Sequence, residues 1–313
     1  MDLHLPPIVD QRGVFLRCEA IAVGYDDRAI AARVRHHEWV RVRRGAYVGA
    51  ELWAGLDEAS RRRTVSWAAL RTARTHVLLS HTTAADELGA DVWEPPAAVH
   101  LTRTDGRAGR AEAGIRQHRG LVSVQDVTRR GGLWVTAGAR TALDITTIAD
   151  VEHSLVVTDS LLHRGETTPS LLAQCLAGHT FWPDTLHSDL VVRLADGRSE
   201  SVGETRTRYL CWRCGLPAPE PQYGIRDRTG REVARVDLAW PWLRVFLEFD
   251  GKEKYLRYRR PDESVTDTVL REKRREEFIC ELTGWRCIRI IWSDLYHPER
   301  TANRIRALFS PVG

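Results

Sequence analysis

The stretch from Arg231 to Lys252, Arg-Glu-Val-Ala-Arg-Val-Asp-Leu-Ala-Trp-Pro-Trp-Leu-Arg-Val-Phe-Leu-Glu-Phe-Asp-Gly-Lys, constrains this chain more than any other. It alternates apolar and polar residues, breaks at Pro241 and alternates again, the pattern of a β-hairpin. With Trp240-Pro241-Trp242-Leu243 as the turn, Val236 faces Leu247, Leu238 faces Val245 and Ala234 faces Phe249. That is one apolar face. The other carries Arg235, Asp237, Arg244, Phe246, Glu248 and Asp250, because side chains alternate with a period of two. Three carboxylates therefore gather on one side of two adjacent strands, with Lys252 just beyond them.

Two readings compete. In the first, the hairpin is half-buried, its outer face is wet and charged, and Asp250-Gly251 is a turn. In the second, the carboxylates hold a divalent cation. Clustered carboxylates raise one another's pKa unless a cation compensates. Mg²⁺ suits such a cluster, since it takes one or two carboxylates and keeps waters for a phosphate and a nucleophile. A lysine beside it can polarise the scissile phosphate or help to deprotonate the attacking water.

Asp237 followed by Glu248-Phe-Asp250-Gly-Lys252 resembles the PD-(D/E)xK signature of restriction-endonuclease-like nucleases, and most nearly the very-short-patch-repair (Vsr-like) endonucleases. The order continues with Glu272-Lys273-Arg274-Arg275, Gly284-Trp285, Ile288-Arg289-Ile290-Ile291 and Trp292-Ser293-Asp294-Leu295. Upstream, Gly203-Glu204-Thr205-Arg206-Thr207-Arg208, Gly215-Leu216-Pro217 and Gln222 also match. The resemblance runs from Gly203 onward. It implies that Asp237, Glu248 and Asp250 hold Mg²⁺ or Mn²⁺, that Glu204 points toward them, and that Lys252 assists catalysis. The relatives often place a His after the Asp-Gly, where this chain has Lys252-Glu253-Lys254-Tyr255, so Lys252 and Lys254 both stand as the assisting lysine. Glu204 also sits where an acid favours a helix start.

The N-terminal stretch reads as a DNA-binding unit. Gly13–Val23 is expected to be an amphipathic helix closed by Gly24, and Asp26 or Asp27 to cap a second helix, Arg28–Trp39. A short alternating segment follows, Trp39 to Val48, with Arg43-Arg44-Gly45 at its tip. Helix, turn, basic helix and basic hairpin make a helix-turn-helix with a wing; the alternative is a solvated basic helix on a small α+β lobe. Gly13-Val-Phe-Leu-Arg-Cys-Glu-Ala, Gly24-Tyr25 and Arg43-Arg-Gly-Ala-Tyr-Val48 resemble the N-terminal domain of AbiEi-type antitoxins. That resemblance implies a DNA-binding winged helix, with Arg28, Arg33 and Arg35 reaching bases or phosphates and Arg41, Arg43 and Arg44 on phosphates.

The middle is less telling. Helices are expected over Leu56–Arg74, from Ser80, and over Ala139–Thr147, Val151–His163 and Ser170–Ala177, with strands at Ala98–Leu101 and Trp134–Thr136. Ser80-His81-Thr82-Thr83-Ala84-Ala85, Val99-His100-Leu-Thr102 and Arg140-Thr-Ala-Leu-Asp144 also resemble the AbiEi-like family. His81, His100, His118 and Asp144 are tempting as a site, but no spacing rule joins them, and buried polar residues ordinarily pair. Ala195–Gly203 reads as the joint to the last domain. There the helix Val265–Leu282 is expected to pack through Val269, Leu270, Phe278, Ile279 and Leu282. Lys273 and Arg275, with Lys254 and Arg257 of a basic loop, would then meet DNA.

Charge supports that division. Residues 1–75 carry 13 Lys/Arg against 9 Asp/Glu, residues 76–200 carry 11 against 16, and residues 201–313 carry 22 against 17. Basic ends around an acidic middle suit two nucleic-acid contacts. No P-loop, dinucleotide fingerprint, nucleophile elbow, His-Glu-x-x-His or internal repeat occurs. Cys211-Trp-Arg-Cys214 is the only CxxC among six cysteines, and core packing is its expected role, in a reducing compartment. Without a signal peptide or a long apolar run the chain is expected to be soluble and cytoplasmic, with no membrane partner. The expected fold is multidomain, α+β and α/β. It comprises a winged helix-turn-helix (residues 1–50), a mixed α/β middle (51–198) and a restriction-endonuclease-like α/β domain (199–313). The expected function is DNA binding with Mg²⁺-dependent phosphodiester hydrolysis. The alternative is a non-catalytic, antitoxin-like regulator that uses a nuclease fold to bind DNA or a toxin protein.

Overall fold

The computed structural model describes residues 10, 12–179, 182, 185–251 and 265–309, with the side chains of 265–272 left aside. Among the described residues the chain has a mixed α/β architecture with three sheets of three, six and four strands. It divides into two compact units, Met1–Ala149 with Gly165–Asp189, and Asp150–Arg164 with Leu190–Gly313. The expected N-terminal and middle segments thus share one unit for most of their length, while the helix Val151–His163 belongs to the other.

In the first unit, β1 (Val14–Leu16), α1 (Arg17–Ala22), α2 (Asp27–Arg35), β2 (Trp39–Arg43) and β3 (Ala46–Gly49) build the small sheet, in the order β1-β3-β2. The helix expected over Gly13–Val23 begins only at Arg17. Val14, Phe15 and Leu16 instead pair with Val48, Tyr47 and Ala46. Val14 and Phe15 are both fully buried but enter different clusters, which a strand's alternating faces achieve and one helix face does not. Asp26 caps α2 by accepting the Ala29 N–H (2.7 Å), and Gly24, at φ +102°, ends α1 as expected. The second helix stops at Arg35, short of Trp39. His37 turns left-handed at φ +56°, and Trp39 instead opens β2 and packs edge-on against Phe15 (4.7 Å).

The larger sheet has the order β6-β7-β5-β4-β9-β8. Its strands are β4 (Val77–Leu79), β5 (Val99–Arg103), β6 (Ala111–Glu112), β7 (Ile115–Arg119), β8 (Val127–Arg130) and β9 (Leu133–Thr136). Helices α3 (Ala50–Gly55), α4 (Glu58–Arg71), α5 (His81–Glu87), α6 (Gly138–Thr146) and α8 (Pro169–Gly178) complete this unit. β4, β6, β7 and β8 are the strands that alternation does not reveal. Arg140 of α6 is buried against Asp144 (2.8 Å) and Asp126 (3.3 Å), and its guanidinium lies over Trp182 (4.2 Å).

The division between units falls within α9 (Ser188–Leu194). In the second unit β10 (Glu220–Arg226), β11 (Glu232–Trp240), β12 (Val245–Asp250) and β13 (Arg286–Ile291) form a sheet in that order, antiparallel except for the parallel pair β12–β13. α7 (Val151–His163), α10 (Val202–Arg213), α11 (Val265–Thr283), α12 (Trp292–Leu295) and α13 (Pro298–Ala307) surround it. The hairpin register differs from the expected one by two residues, with Leu238 opposite Leu247 and Trp240 opposite Val245. Pro241–Leu243 forms a 3-10 turn and Arg244 enters the left-handed region at φ +53°, so the connection takes up two more residues than a tight turn. A shift of two by itself would leave the alternation of faces intact, but along β11 Ala234 and Val236 join the opposite cluster from Leu238, so the single apolar face expected of the hairpin is split between two.

Both faces of this sheet are covered. Leu238, Trp240, Leu247 and Phe249 pack with Leu210, Ile290 and Ile305, whereas Val236, Ala239 and Phe246 pack with Ile225 and Ile279 of α11. Phe246, expected on the charged face, is therefore fully buried. Phe278 is the converse correction. It is 48% exposed, because Ile279 occupies the inward stripe and its neighbour lies about 100° away around the helix. Val269 and Leu270 fall outside the described side chains. Cys211 and Cys214 belong to the first cluster, Cys280 and Cys287 to the second, so each CxxC thiol has a core role and the four do not meet.

Candidate metal centre and nucleic-acid interface

The start of α10 is built around Glu204. Ser201 precedes the helix, and its hydroxyl donates to Glu204 Oε1 (2.7 Å) while accepting the Glu204 N–H (3.3 Å). The Glu200 N–H (3.0 Å) and the Gln222 side-chain amide (2.9 Å) both donate to Oε2. This is a helix cap, as the local reading requires. It is also more than a cap, for Glu204 is 2% exposed. Burial raises its pKa first, and the charge of Asp237 raises it further. The charge of a β11 carboxylate is thus felt by a buried one on α10.

Two glycine and glutamine details position that pair. Gly203 lies against the ring of Phe249, and a Cβ there would overlap the ring, so α10 reaches β12 only with glycine at this point. Gln222 sits at φ +51° in β10, between the ladder pairs Pro221–Leu238 and Tyr223–Val236, which places it opposite Asp237. Sequence reasoning notes Gln222 only through a resemblance and assigns it no task; its task as the amide that holds Glu204 emerges only from the fold.

Asp237 is 9% exposed, and its Oδ2 accepts the Phe249 N–H (2.7 Å). The described β11–β12 ladder pairs run from Trp240–Val245 to Leu238–Leu247, and the carboxylate takes up the next strand N–H itself. Glu248 meets Arg275 of α11 (3.3 Å), and Asp250 meets Arg289 of β13 (3.7 Å), which also binds Glu276 (2.7 Å). Part of the repulsion among the acids is therefore offset by arginine. Among the described residues, the sets of three His, Cys, Asp or Glu ligand atoms lying within 4.8 Å of one another are His81–His100–His118 and Asp126–Cys175–His179, both in the other unit. Asp237, Glu248 and Asp250 do not form such a set. Their donors are nevertheless all oxygen, the chemistry a hard cation prefers. Lys252, Lys254 and Arg257 lie outside the described residues.

The basic residues separate into two groups. Arg28 and Arg35 are exposed and seven residues apart on α2, hence on one face, and Arg41 and Arg44 are exposed on the β2–β3 hairpin. Arg33 instead pairs with Glu38. Arg43 donates to Thr72 Oγ1 and to the Ala113 carbonyl (3.2 Å each), inside a cleft of about 830 Å³ that Arg44, Arg74 and Arg110 also line. Lys273 is exposed near Glu277 (4.0 Å). Arg275, expected to face DNA, also donates to the Arg235 carbonyl besides pairing with Glu248. No helix among the described residues is long and apolar enough to cross a membrane.

Two proteins of Mycobacterium tuberculosis are similar to this chain, the uncharacterized protein MT2308 of strain CDC 1551 / Oshkosh and the uncharacterized protein Rv2248 of strain ATCC 25618 / H37Rv. Each is 30% identical over 231 residues, covering 74% of this chain and 80% of the relative. That aligned length exceeds either compact unit, so the relatives share parts of both. No family model matches the chain.

Proposed function

This chain belongs to the family of those two mycobacterial proteins, and for it we propose metal-dependent hydrolysis of DNA phosphodiester bonds by the second unit, with the winged-helix-like start of the first unit holding the duplex. The observation that carries this reading is the Glu204–Asp237 pair. Both carboxylates have low exposure, and burial and then the charge of Asp237 oppose ionisation of Glu204. Such an arrangement costs stability and is characteristic of functional sites. The strand order β10-β11-β12-β13, with α10 before it and α11 between β12 and β13, agrees with the nuclease resemblance.

Asp237, Glu248 and Asp250 would hold Mg²⁺ or Mn²⁺, which when bound supplies charge neutralisation for the phosphate and a more acidic water. Glu204, held by Ser201 and Gln222, keeps Asp237 company and sets the local charge. Lys252 is assigned to the scissile phosphate through the resemblance. On the duplex, Arg28 and Arg35 of α2 serve the groove, and Arg41 and Arg44 serve phosphates.

A second reading rests on the Arg275–Glu248 and Arg289–Asp250 pairs, which suit a non-catalytic, DNA-binding regulator whose acids are neutralised internally. One experiment separates the two. Supercoiled plasmid is incubated with Mg²⁺ or Mn²⁺ and the wild type, Asp237→Ala or Glu248→Ala. Nicking that both variants lose supports the nuclease. Retarded but intact single- and double-stranded DNA supports the regulator.

A further inference from the structure

Three histidines scattered through the first unit converge beside β4, β5 and β7 of its six-stranded sheet. His81 is the first residue of α5, directly after β4; His100 lies on β5 and His118 on the neighbouring parallel strand β7. The His81 and His118 rings stack at 3.8 Å between centroids, and His100 Nδ1 lies 2.9 Å from His118 Nε2. Each ring offers a nitrogen, and these atoms all fall within 4.8 Å of one another. His81 and His100 are buried, with His118 half-buried beside them.

The surroundings are those of a ligand site. His81 holds a left-handed backbone (φ +53°) that residues with a side chain adopt at a cost, and such strain gathers where function over-determines the conformation. Its Nδ1 lies 2.9 Å from the buried Ser80 hydroxyl; in the tautomer that donates there, Nε2 keeps its lone pair for a ligand. The His100 backbone N–H donates to Thr83 Oγ1 (2.9 Å), which fixes that strand against α5. His81 and His118 line a cavity of about 540 Å³ together with Thr102, Arg116, Arg140 and Asp144. Thr102 Oγ1 and Asp144 Oδ2 are buried with no hydrogen-bond partner among the described residues, although buried polar atoms ordinarily have one.

From this geometry we infer that His81, His100 and His118 form a binding site for a zinc-class divalent transition-metal ion, with a fourth position opening to the cavity for an anionic oxygen ligand. Three imidazoles are the donor set that zinc takes when it leaves one position for water or substrate. Moving His100 Nδ1 and His118 Nε2 apart by a few tenths of an ångström replaces their shared proton with a metal. Arg116, at the exposed rim, adds positive charge that a dication alone would oppose and an oxyanion in the fourth position would balance. Arg140 is already matched by Asp144 and Asp126.

The site lies in the first unit and does not depend on the nuclease reading of the second. Its test uses the full chain stripped with EDTA and titrated with Zn²⁺ by calorimetry and with Co²⁺ by visible absorption. One equivalent is expected, with nitrogen-ligand Co²⁺ bands. His100→Asn and His118→Asn are expected to lose it, and Ser80→Ala to bind roughly tenfold more weakly. Asp237→Ala is expected to keep the equivalent, which separates it from the carboxylates of the second unit. Cys175→Ser is also expected to keep it, which separates it from the Asp126–Cys175–His179 set. Zn²⁺-edge anomalous scattering from wild-type crystals covers the case in which a His variant fails to fold, with a peak expected among the three rings. Absence of uptake, uptake that His118→Asn leaves unchanged, or a peak elsewhere alone would overturn the inference.

Discussion

The two units solve the same problem, polar groups crowded at low exposure, in opposite ways. Around β11 and β12 the crowded groups are carboxylates, and arginines from α11 and β13 are set against two of them. Around β5 and β7 they are imidazoles, kept neutral by burial and by the positive charge of Arg116. A carboxylate cluster answers to hard cations or guanidinium groups, whereas a neutral imidazole cluster is ready for a softer metal. Chemistry of two kinds can therefore sit in one chain without competing for the same ion.

The largest expected effect comes from removing a buried cation. Arg140→Met leaves Asp144 and Asp126 facing a desolvated pocket, and breaking such a pair costs roughly 3–5 kcal/mol. Urea denaturation, followed by a probe in the first unit, checks it. In the second unit the corresponding weak point is steric. Gly203→Ala drives a methyl into the Phe249 ring and is expected to cost about 1–3 kcal/mol and to dislodge Glu204. Gly178→Ala, with open space around its Cβ position, is the matched control.

Acid sharpens the comparison. His100 and His118 have folded-state pKa values near 4, below their ordinary 6.5, so the unfolded chain binds protons that the folded chain refuses. The stability this gives is complete above pH 6.5 and is lost as pH falls toward 4. Asp144 and Asp159 act in the other sense. Burial raises each to about 6, so folding is favoured as pH drops from 6 toward 3.8. In the first unit three lowered histidines outweigh Asp144, and melting followed between pH 7 and 4 should show a steep acid loss that His118→Asn makes shallower. An unchanged slope would contradict the neutral-imidazole account.

The smallest expected change is Arg275→Gln. Its pair with Glu248 is partly exposed, so stability should move by only about 0–1 kcal/mol. Its value lies in binding. With Glu248 released, Mg²⁺ should raise the melting temperature of the variant more than that of the wild type, and an equal shift would separate Glu248 from the metal.

Much of the second unit was legible in the chain. Alternation identified the hairpin, and the cap at Glu204 was readable from Ser201 and the helix start. The register was not legible, because nothing in Pro241-Trp242-Leu243 announces a 3-10 turn with Arg244 left-handed behind it. Nor was the cover over the second face, since Phe246 looks like one apolar residue among charges until Ile279 of α11 lies on it. In the first unit, Val14-Phe15-Leu16 satisfies a helical and a strand pattern equally over three residues, and only the pairing with β3 decides. The histidines were visible one by one. Their convergence depends on β5 and β7 lying side by side in parallel, a long-range fact no local spacing encodes.

The most direct test of the account is a crystal of the full chain soaked in Mn²⁺ and measured for anomalous scattering. The expected result is a peak bound by Asp237 and at least one of Glu248 and Asp250, with Arg275 or Arg289 displaced from its acid. If both arginines keep their partners and no manganese lies at Asp237, the metal-dependent nuclease is contradicted and the DNA-binding regulator takes its place.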